Sequence, residues 1–371
     1  MLIIPVIFTE ISLQVYYRLT NGSFLFERMV LPIYKTDDYR YYKLKPNLSY
    51  RHQTNEYDVT YYTNDQGLRT NYLRKNIKSN KDEKIFRILF LGPSFTFGWA
   101  NNYEDIFPSI IEQEITIEGK VVEVMNLGTP AQPIEYQLCW LQKIGYKFNP
   151  DMIVQSVYGN PARISTKCQE PQYPPVVQDG YLYLSEPNLG ENLINIAKSS
   201  GIVFYGWYFY QYITSNSEIN VGLGTELYED VPEKSTAADY KIRYNTYSDY
   251  IAFVRNIVKK EIPIIFLHIP YSYVVRPSDL SRWKNKFWEN PYMLRRESKE
   301  VEKALEQQNI AFVNPIDDLI SKDKDTRMYY FLDIHFTPTG NRVLAEKVIP
   351  VINDLISINS NNVRNTFKRI E

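Results

Sequence analysis

The chain has 371 residues, enough for one large domain with insertions or for two domains. Hydrophobic residues make up 44% and charged residues 23%, an ordinary globular composition. The formal net charge of −1 lacks the basic footprint of a nucleic-acid-binding protein, so no nucleic-acid partner is expected. Cys139 and Cys168 fit no metal-ligand or CxxC spacing, and the sequence leaves open whether they pair.

The N-terminal segment, residues 1–19, begins with an apolar run that ends before Glu10. That run is shorter than the about 20 residues needed to cross a bilayer. Thr9 to Leu19 has the composition of a helix. Two interpretations stay open: a soluble N-terminal helix, or the end of a membrane anchor.

Residues 20–84 are polar and rich in tyrosine, and they predict a small β-rich leader followed by a charged linker. Tyr57 to Thr63 alternates and contains β-branched residues, which is typical of a strand. Asn64 to Gly67 then carries a turn signal.

From residue 85 to residue 357, short apolar runs alternate with helical patterns, apart from an insertion at about 161–240. This alternation predicts an α/β fold, a flavodoxin-like doubly wound parallel sheet of five strands with helices on both faces. The predicted strands are 86–91, 121–127, 151–158, 262–269 and 310–313. Thr339 to Ile356 is the predicted last helix, and residues 358–371 form a C-terminal tail.

The insertion has three recognisable parts. Val176 to Ser185 predicts a hairpin around Asp179-Gly180. The aromatic run at 202–213 favours a buried helix, although it could also line a groove or touch a membrane. Residues 215–237 have no periodicity and suggest a lid.

A serine follows the first sheet strand at a sharp turn, Gly92-Pro93-Ser94. The carboxyl end of a strand is where open α/β sheets bind ligands, so Ser94 is placed for nucleophilic chemistry. Of the three histidines, His52 lies in the leader and His268 inside an apolar strand, where a core histidine is expected. His335 has Asp333 two residues before it, and in an extended segment both side chains would point to one side.

These residues predict a catalytic triad of Ser94, His335 and Asp333. Three candidate donors for an oxyanion also follow strand ends: the Ser94 N–H, the Gly128 N–H and the Asn160 side-chain amide. Neighbouring strands of a doubly wound sheet would bring them together.

The same residues resemble the motifs of the SGNH, or GDSL-type, hydrolases. Gly92 to Gly98, GPSFTFG, is similar to the nucleophile block G-D-S-x-T-x-G, and Asn126-Leu127-Gly128 and Gly159-Asn160 are similar to the two oxyanion blocks. The segment from Asp333, DIHFTPTGN, resembles the last block. The resemblance covers residues 50–355 and includes TNDQGLR at 63–69.

Three features depart from that pattern. Pro93 replaces the usual aspartate, which stiffens the turn without removing a triad member. One residue separates Asp333 from His335 where many members have two, a spacing similar to that of polysaccharide O-acetyl transferases and esterases in the superfamily. Asn160 is followed by Pro161 where aspartate is common.

The resemblance implies a serine esterase or acyl hydrolase that needs no cofactor or metal. A carbohydrate acetyl ester is the first expected substrate. The alternatives are an O-acetyltransferase acting on an extracytoplasmic polysaccharide and a non-catalytic glycan-binding protein with the same fold. Bacterial members often carry one N-terminal membrane helix, which implies an extracytoplasmic, membrane-tethered protein; the sequence does not exclude the cytoplasm.

Overall fold

The computed structural model describes residues 3–21, 24–25, 31–54, 56–73, 75–162, 164–168, 174–183, 197, 199–216, 237–259, 261–279 and 291–367. The predicted lid therefore lies almost entirely outside the described residues.

The centre of the molecule is a five-stranded sheet in which every neighbouring pair is parallel. Its strands are β6 (Ile85–Leu91), β7 (Val121–Asn126), β8 (Met152–Tyr158), β11 (Ile264–Ile269) and β12 (Ala311–Val313). Across the sheet they run β12-β11-β8-β6-β7, the flavodoxin-like order. The predicted fold class is thus confirmed.

Helices cover both faces of this sheet because its strands are apolar on both sides. Ile88 and Phe90 of β6 point into one core, and Leu89 and Leu91 point into the other. The first core is closed by α3 (Phe107–Glu114), α9 (Ile316–Asp323) and α10 (Pro338–Phe367). The second is closed by α4 (Ile134–Lys143), α6 (Ala237–Ile257) and α8 (Pro291–Glu306). Shorter helical elements are α2 (Ser94–Phe97), α7 (Ser272–Val275) and the 3₁₀ turns Tyr103–Asp105 and Gly145–Phe148.

Helix α10 ends at Phe367, eleven residues beyond the predicted Ile356. The extra stretch contains no glycine or proline, so nothing in it breaks a helix.

The leader consists of the hairpin β1 (Tyr34–Asp37) and β2 (Tyr41–Leu44) and the antiparallel sheet β3 (Ser49–Gln53), β4 (Asp58–Thr63) and β5 (Arg69–Thr70). Tyr42, Val59 and Tyr61 from these strands pack against Phe97 of α2 in one core. The leader therefore packs against the helix that begins at the candidate nucleophile. In the insertion, β9 (Val176–Gln178) and β10 (Tyr181–Tyr183) form the predicted hairpin, with Asp179 and Gly180 at positive φ.

Two apolar helices pair at the N-terminal end, α1 (Ile3–Asn21) and α5 (Gly201–Asn216). The expectation that the aromatic run is a buried helix is wrong, because Phe209 and Tyr210 of α5 are 63% and 56% exposed. The helix packs on α1 through Phe204 on Tyr17, and Ile202 and Val203 are exposed as well. Among the described helices, none is long and apolar enough to cross a membrane.

Cys139 of α4 forms a disulfide with Cys168, which ties the start of the insertion to the second core.

Candidate active site

The turn that carries Ser94 is shaped by two glycines. A Cβ on Gly92 would lie 1.9 Å from Thr96 Oγ1, so only glycine leaves room for the threonine that follows Ser94. Thr96 Oγ1 in turn donates to Ser156 Oγ on β8 at 2.8 Å. Gly98 ends the single helical turn with φ +83°. The Pro93 carbonyl accepts from the N–H groups of Thr96 and Phe97, so a proline in this position still caps the turn.

Ser94, His335 and Asp333 form one continuous hydrogen-bond chain. Ser94 Oγ lies 2.6 Å from His335 Nε2, and His335 Nδ1 lies 2.5 Å from Asp333 Oδ1. The serine contacts one ring nitrogen and the carboxylate contacts the other. This is the arrangement in which a carboxylate holds the tautomer that accepts a serine proton.

Asp333 and His335 come into contact through a turn and not through the extended segment that was expected. Residues 331–335 are a series of bends, not an extended segment. Asp333 Oδ1 accepts from the backbone N–H of His335 at 3.0 Å, an Asx-type turn that folds the side chain over its own backbone. The same oxygen is thereby aligned with the imidazole.

Aromatic rings flank the imidazole, which is largely buried. The centroids of Phe95 and Trp99 lie 4.7 and 5.8 Å from that of His335. Burial disfavours the charged form of Asp333, but the charge and hydrogen bonds of His335 outweigh it. They hold the pKa of Asp333 well below its usual range. The carboxylate is therefore ionised beside the imidazole at neutral pH.

Gly128 lies against α2 but its N–H already has an acceptor. A Cβ at this position would lie 2.0 Å from Phe97 N, so the 128 backbone is in direct contact with the helix that begins at Ser94. Its N–H donates to Asn126 Oδ1 at 2.8 Å, and Asn126 Nδ2 donates to the Thr96 carbonyl. An oxyanion would have to share the Gly128 N–H with Asn126.

Asn160 follows β8, the strand on the other side of β6. Its Oδ1 accepts from Ala162 N–H at 2.8 Å, and this bond leaves the donor role to its NH₂ group. Tyr158, two residues earlier, packs on Phe95 with ring centroids 4.7 Å apart. The three predicted oxyanion residues therefore follow β6 and its two neighbours at the same edge of the sheet.

The other two histidines have structural partners. His268 is fully enclosed between the Gly159 carbonyl and Ser298 Oγ, each at 2.8 Å, which confirms the prediction of a satisfied core histidine. His52 is buried beside Tyr61, whose hydroxyl lies 3.0 Å from its Nδ1.

Sequence reasoning missed several residues that contact Asp333 or the backbone next to His335. Tyr57 Oη and Trp99 Nε1 donate to Asp333 Oδ2 at 2.9 and 3.3 Å. Asn101 Nδ2 donates to the Phe336 carbonyl, next to His335, at 2.8 Å. Trp99 and Asn101 could have been suspected from their closeness to Ser94, but Tyr57 lies in the leader and carries no local signal.

The leader segment TNDQGLR connects to the same region through Arg69. Its guanidinium is buried and donates to the Asn101 carbonyl at 3.1 Å. It also lies over the rings of Tyr61, Phe97 and Tyr103 at 5.2 to 5.8 Å. Burial lowers the pKa of Arg69 to about 10, so it remains a cation at neutral pH.

No protein-family model matches the chain, and neither does any curated protein. Among solved structures, it is similar to a member of the lipolytic G-D-S-L family from Veillonella parvula, with 10% identity, a TM-score of 0.37, and coverage of 72% of this chain and 98% of that one. A lipase/acylhydrolase from Enterococcus faecalis matches with 13% identity, a TM-score of 0.38, and coverage of 72% and 95%. A catalytic mutant of an acetylxylan esterase from Geobacillus stearothermophilus matches with 12% identity, a TM-score of 0.37, and coverage of 74% and 95%.

Proposed function

We propose that the chain is a serine ester hydrolase of the SGNH type, with Ser94 as nucleophile, His335 as base and Asp333 as its orienting acid. The observation that carries the proposal is the unbroken chain from Ser94 Oγ through both ring nitrogens of His335 to Asp333 Oδ1. A serine bonded to solvent or to a backbone carbonyl would have no group to accept its proton.

In this mechanism, Ser94 Oγ attacks the ester carbonyl while His335 Nε2 takes its proton. His335 then gives that proton to the leaving alcohol, and an acyl group stays on Ser94. Water then attacks the acyl carbonyl while His335 takes its proton, and His335 gives that proton to Ser94 Oγ as the acid leaves. Asp333 stabilises the imidazolium in both halves without taking its proton.

The oxyanion of each tetrahedral intermediate would be held by the Ser94 N–H and the Asn160 NH₂, with the Gly128 N–H shared between the oxyanion and Asn126. One such donor typically stabilises the transition state by roughly 3 to 4 kcal/mol.

An acetyl ester of a carbohydrate is the proposed substrate class, supported by the D-x-H spacing of the last motif. The acceptor distinguishes hydrolysis from transfer: water gives an esterase, and a sugar hydroxyl gives an O-acetyltransferase. A non-catalytic glycan-binding protein is the less economical alternative, because it would not need the serine, imidazole and carboxylate in hydrogen-bond contact.

The test is turnover of p-nitrophenyl acetate, longer esters and acetylated xylan by the purified full chain, beside Ser94→Ala. We expect Ser94→Ala to lose at least about 1,000-fold in kcat, because the nucleophile is removed. Ser357→Ala, which removes an exposed hydroxyl on α10, serves as the matched control and should retain wild-type activity. A fluorophosphonate probe should label the wild type at Ser94. Absence of both labelling and turnover in the wild type would overturn the enzyme proposal. Acceleration by added sugar acceptor would favour transfer.

We also propose that the protein works in an oxidising compartment next to a membrane. The Cys139–Cys168 disulfide supports the first part, since disulfides persist mainly outside the reducing cytosol. The second part is supported by the first two turns of α1, where five apolar side chains between Ile3 and Phe8 are 53% to 78% exposed.

A further inference from the structure

The carboxylate of Asp333 accepts hydrogen bonds from four donors, two on each oxygen. Oδ1 accepts from the ring and the backbone N–H of His335. Oδ2 accepts from Tyr57 Oη and, at a longer distance, from Trp99 Nε1. An ionised carboxylate offers about four lone-pair positions, so its orientation here is fully determined.

The hydrogen bond from Tyr57 is one of several between the leader and the segment that carries Asp333. Glu56, the residue before it, accepts from the backbone N–H groups of Phe331 and Leu332 at 2.5 and 2.7 Å. Thr54 Oγ1 accepts from the N–H groups of Glu56 and Tyr57 and holds both in place. Glu56 and Tyr57 are thus hydrogen-bonded to three consecutive residues, 331–333, of the segment that carries His335.

We propose that Tyr57 is a positioning residue of the catalytic chain, and that the leader completes the active site through Tyr57 and Glu56. The inference rests on the proposed esterase function and deepens it. The hydrogen-bond chain then runs from Tyr57 through Asp333 and His335 to Ser94. Tyr57 lies 276 residues before Asp333 in the sequence.

The phenol is a permanent donor in this arrangement. Burial and the neighbouring Asp333 charge raise the pKa of Tyr57 well above its usual range. Its O–H draws negative charge toward Oδ2 and away from the oxygen that faces the imidazole. Loss of the O–H would return that charge to Oδ1 and stabilise the protonated imidazole, so His335 would titrate at higher pH. The other titratable groups coupled electrostatically to Asp333 are Glu56, Tyr61, Tyr158 and Tyr330.

The test compares the full-length wild type with Tyr57→Phe, which keeps the ring and removes only the hydroxyl. We expect kcat for p-nitrophenyl acetate to fall about tenfold, the scale of one hydrogen bond to a charged group. The acid limb of the pH–rate profile should move to higher pH. NMR of histidine-labelled protein gives the same information without a substrate, since the chain has only three histidines. There, the His335 ring signals should titrate at higher pH in the variant.

Tyr42→Phe is the matched control. It removes one buried leader hydroxyl, which donates to the Ala131 carbonyl at 2.7 Å and is not a donor to the carboxylate of Asp333. Its acid limb and its His335 signals should stay at their wild-type positions.

A double-mutant cycle tests whether Tyr57 affects activity through Asp333 or through a general effect on the structure. In an Asp333→Asn background, Tyr57→Phe should cost little further activity, because the two residues act through one bond. An undiminished second loss, or an unmoved His335 titration in Tyr57→Phe, would overturn the inference. Wild-type inactivity combined with a moved titration would instead count against the esterase proposal alone.

Discussion

His268 takes no part in the proposed chemistry, yet it holds the backbone that precedes Asn160. The Gly159 carbonyl has no proton to offer, so His268 Nε2 donates to it. Nδ1 lies 2.8 Å from the Ser298 hydroxyl, which donates to it when the ring is neutral. The ring is neutral at pH 7. Burial lowers its pKa to about 4, since a charged ring would be removed from water.

This histidine should make the protein less stable in mild acid. Between pH 6.5 and about 4 the unfolded chain binds a proton at His268 and the native protein does not, so the free energy of unfolding falls as the pH falls through that range. The full effect is on the order of 3 kcal/mol. Urea unfolding of wild type and His268→Gln at pH 7 and pH 4.5 measures it. The glutamine variant should be less stable at pH 7 but lose less on acidification; equal losses would contradict the assignment.

The residues of the proposed triad could be named from the sequence, and the residues that hold them could not. Ser94, Asp333 and His335 lie in short motifs whose spacing carries chemical meaning. Tyr57 and Glu56 act across more than 270 residues of sequence, and no local pattern encodes such a contact. The Asx turn at Asp333 was missed because spacing of two residues fits both a strand and a turn.

At the scale of elements, helix α2, which begins at Ser94, is packed backbone to backbone against the turn after β7. The hypothetical Cβ of Gly128 would meet Phe97 N at 2.0 Å and Thr96 C at 2.4 Å. These are main-chain atoms, which cannot rotate away as a side chain can. The spacing between α2 and this turn is thus set by the absence of a side chain at residue 128.

Gly128→Ala should therefore displace α2 and, with it, Ser94. We expect loss of at least about 100-fold in kcat and destabilisation of a few kcal/mol, the range of overpacked cores. Gly206→Ala is the control, because its Cβ would meet nothing within 4 Å on an exposed part of α5. It should leave activity unchanged and stabilise the helix by up to about 1 kcal/mol. Thermal unfolding and ester turnover check both. An active, stable Gly128→Ala would mean that the turn can move without cost.

The sheet was predictable because its strands are buried on both faces and so read as unbroken apolar runs. All six residues of β11 are buried. The same reasoning failed for α5, which is equally apolar but exposes Phe209 and Tyr210. An apolar run indicates an apolar environment, and in α5 the described protein supplies that environment on only one side.

At the scale of the whole molecule, α1 and α5 form a nearly uncharged projection beside the site. The one acid of α1, Glu10, is hydrogen-bonded to the start of α5. Its carboxylate accepts from Gly201 N and Ile202 N at 2.6 and 3.0 Å and from Ser200 Oγ at 2.8 Å. Burial opposes its ionisation, but these hydrogen bonds and one from Gln14 lower the pKa of Glu10 to about 2. The sequence of α5 contains no charged residue.

The geometry of α1 favours a bilayer over a protein partner as the surroundings of its first turns. Residues 3–9 are exposed around the whole circumference of the helix. A partner protein that docks on one face would leave the other face in water, whereas lipid would surround it. Seven residues at 1.5 Å each span about 10 Å, which reaches the boundary between headgroups and acyl chains. Tyr17 of α1 and Phe204 of α5 also line a cavity of about 30 Å³ with Tyr57 and Asp333, so the projection adjoins the triad.

The full chain should therefore bind vesicles of phosphatidylcholine and phosphatidylglycerol through these turns. Ile4→Ser combined with Phe8→Ser removes two side chains that are 78% and 72% exposed, and it should lower the bound fraction in co-sedimentation at least about tenfold, because each buried apolar side chain contributes roughly 1.5 to 3 kcal/mol. Leu73→Ser, at a position 68% exposed in the leader, should bind like wild type.

Because residues 3–9 carry no charge, binding should persist at 0.5 M salt, where screening is nearly complete beyond about 5 Å. Binding by the double variant equal to wild type, or a lipid-free dimer that the double variant abolishes, would contradict the membrane assignment.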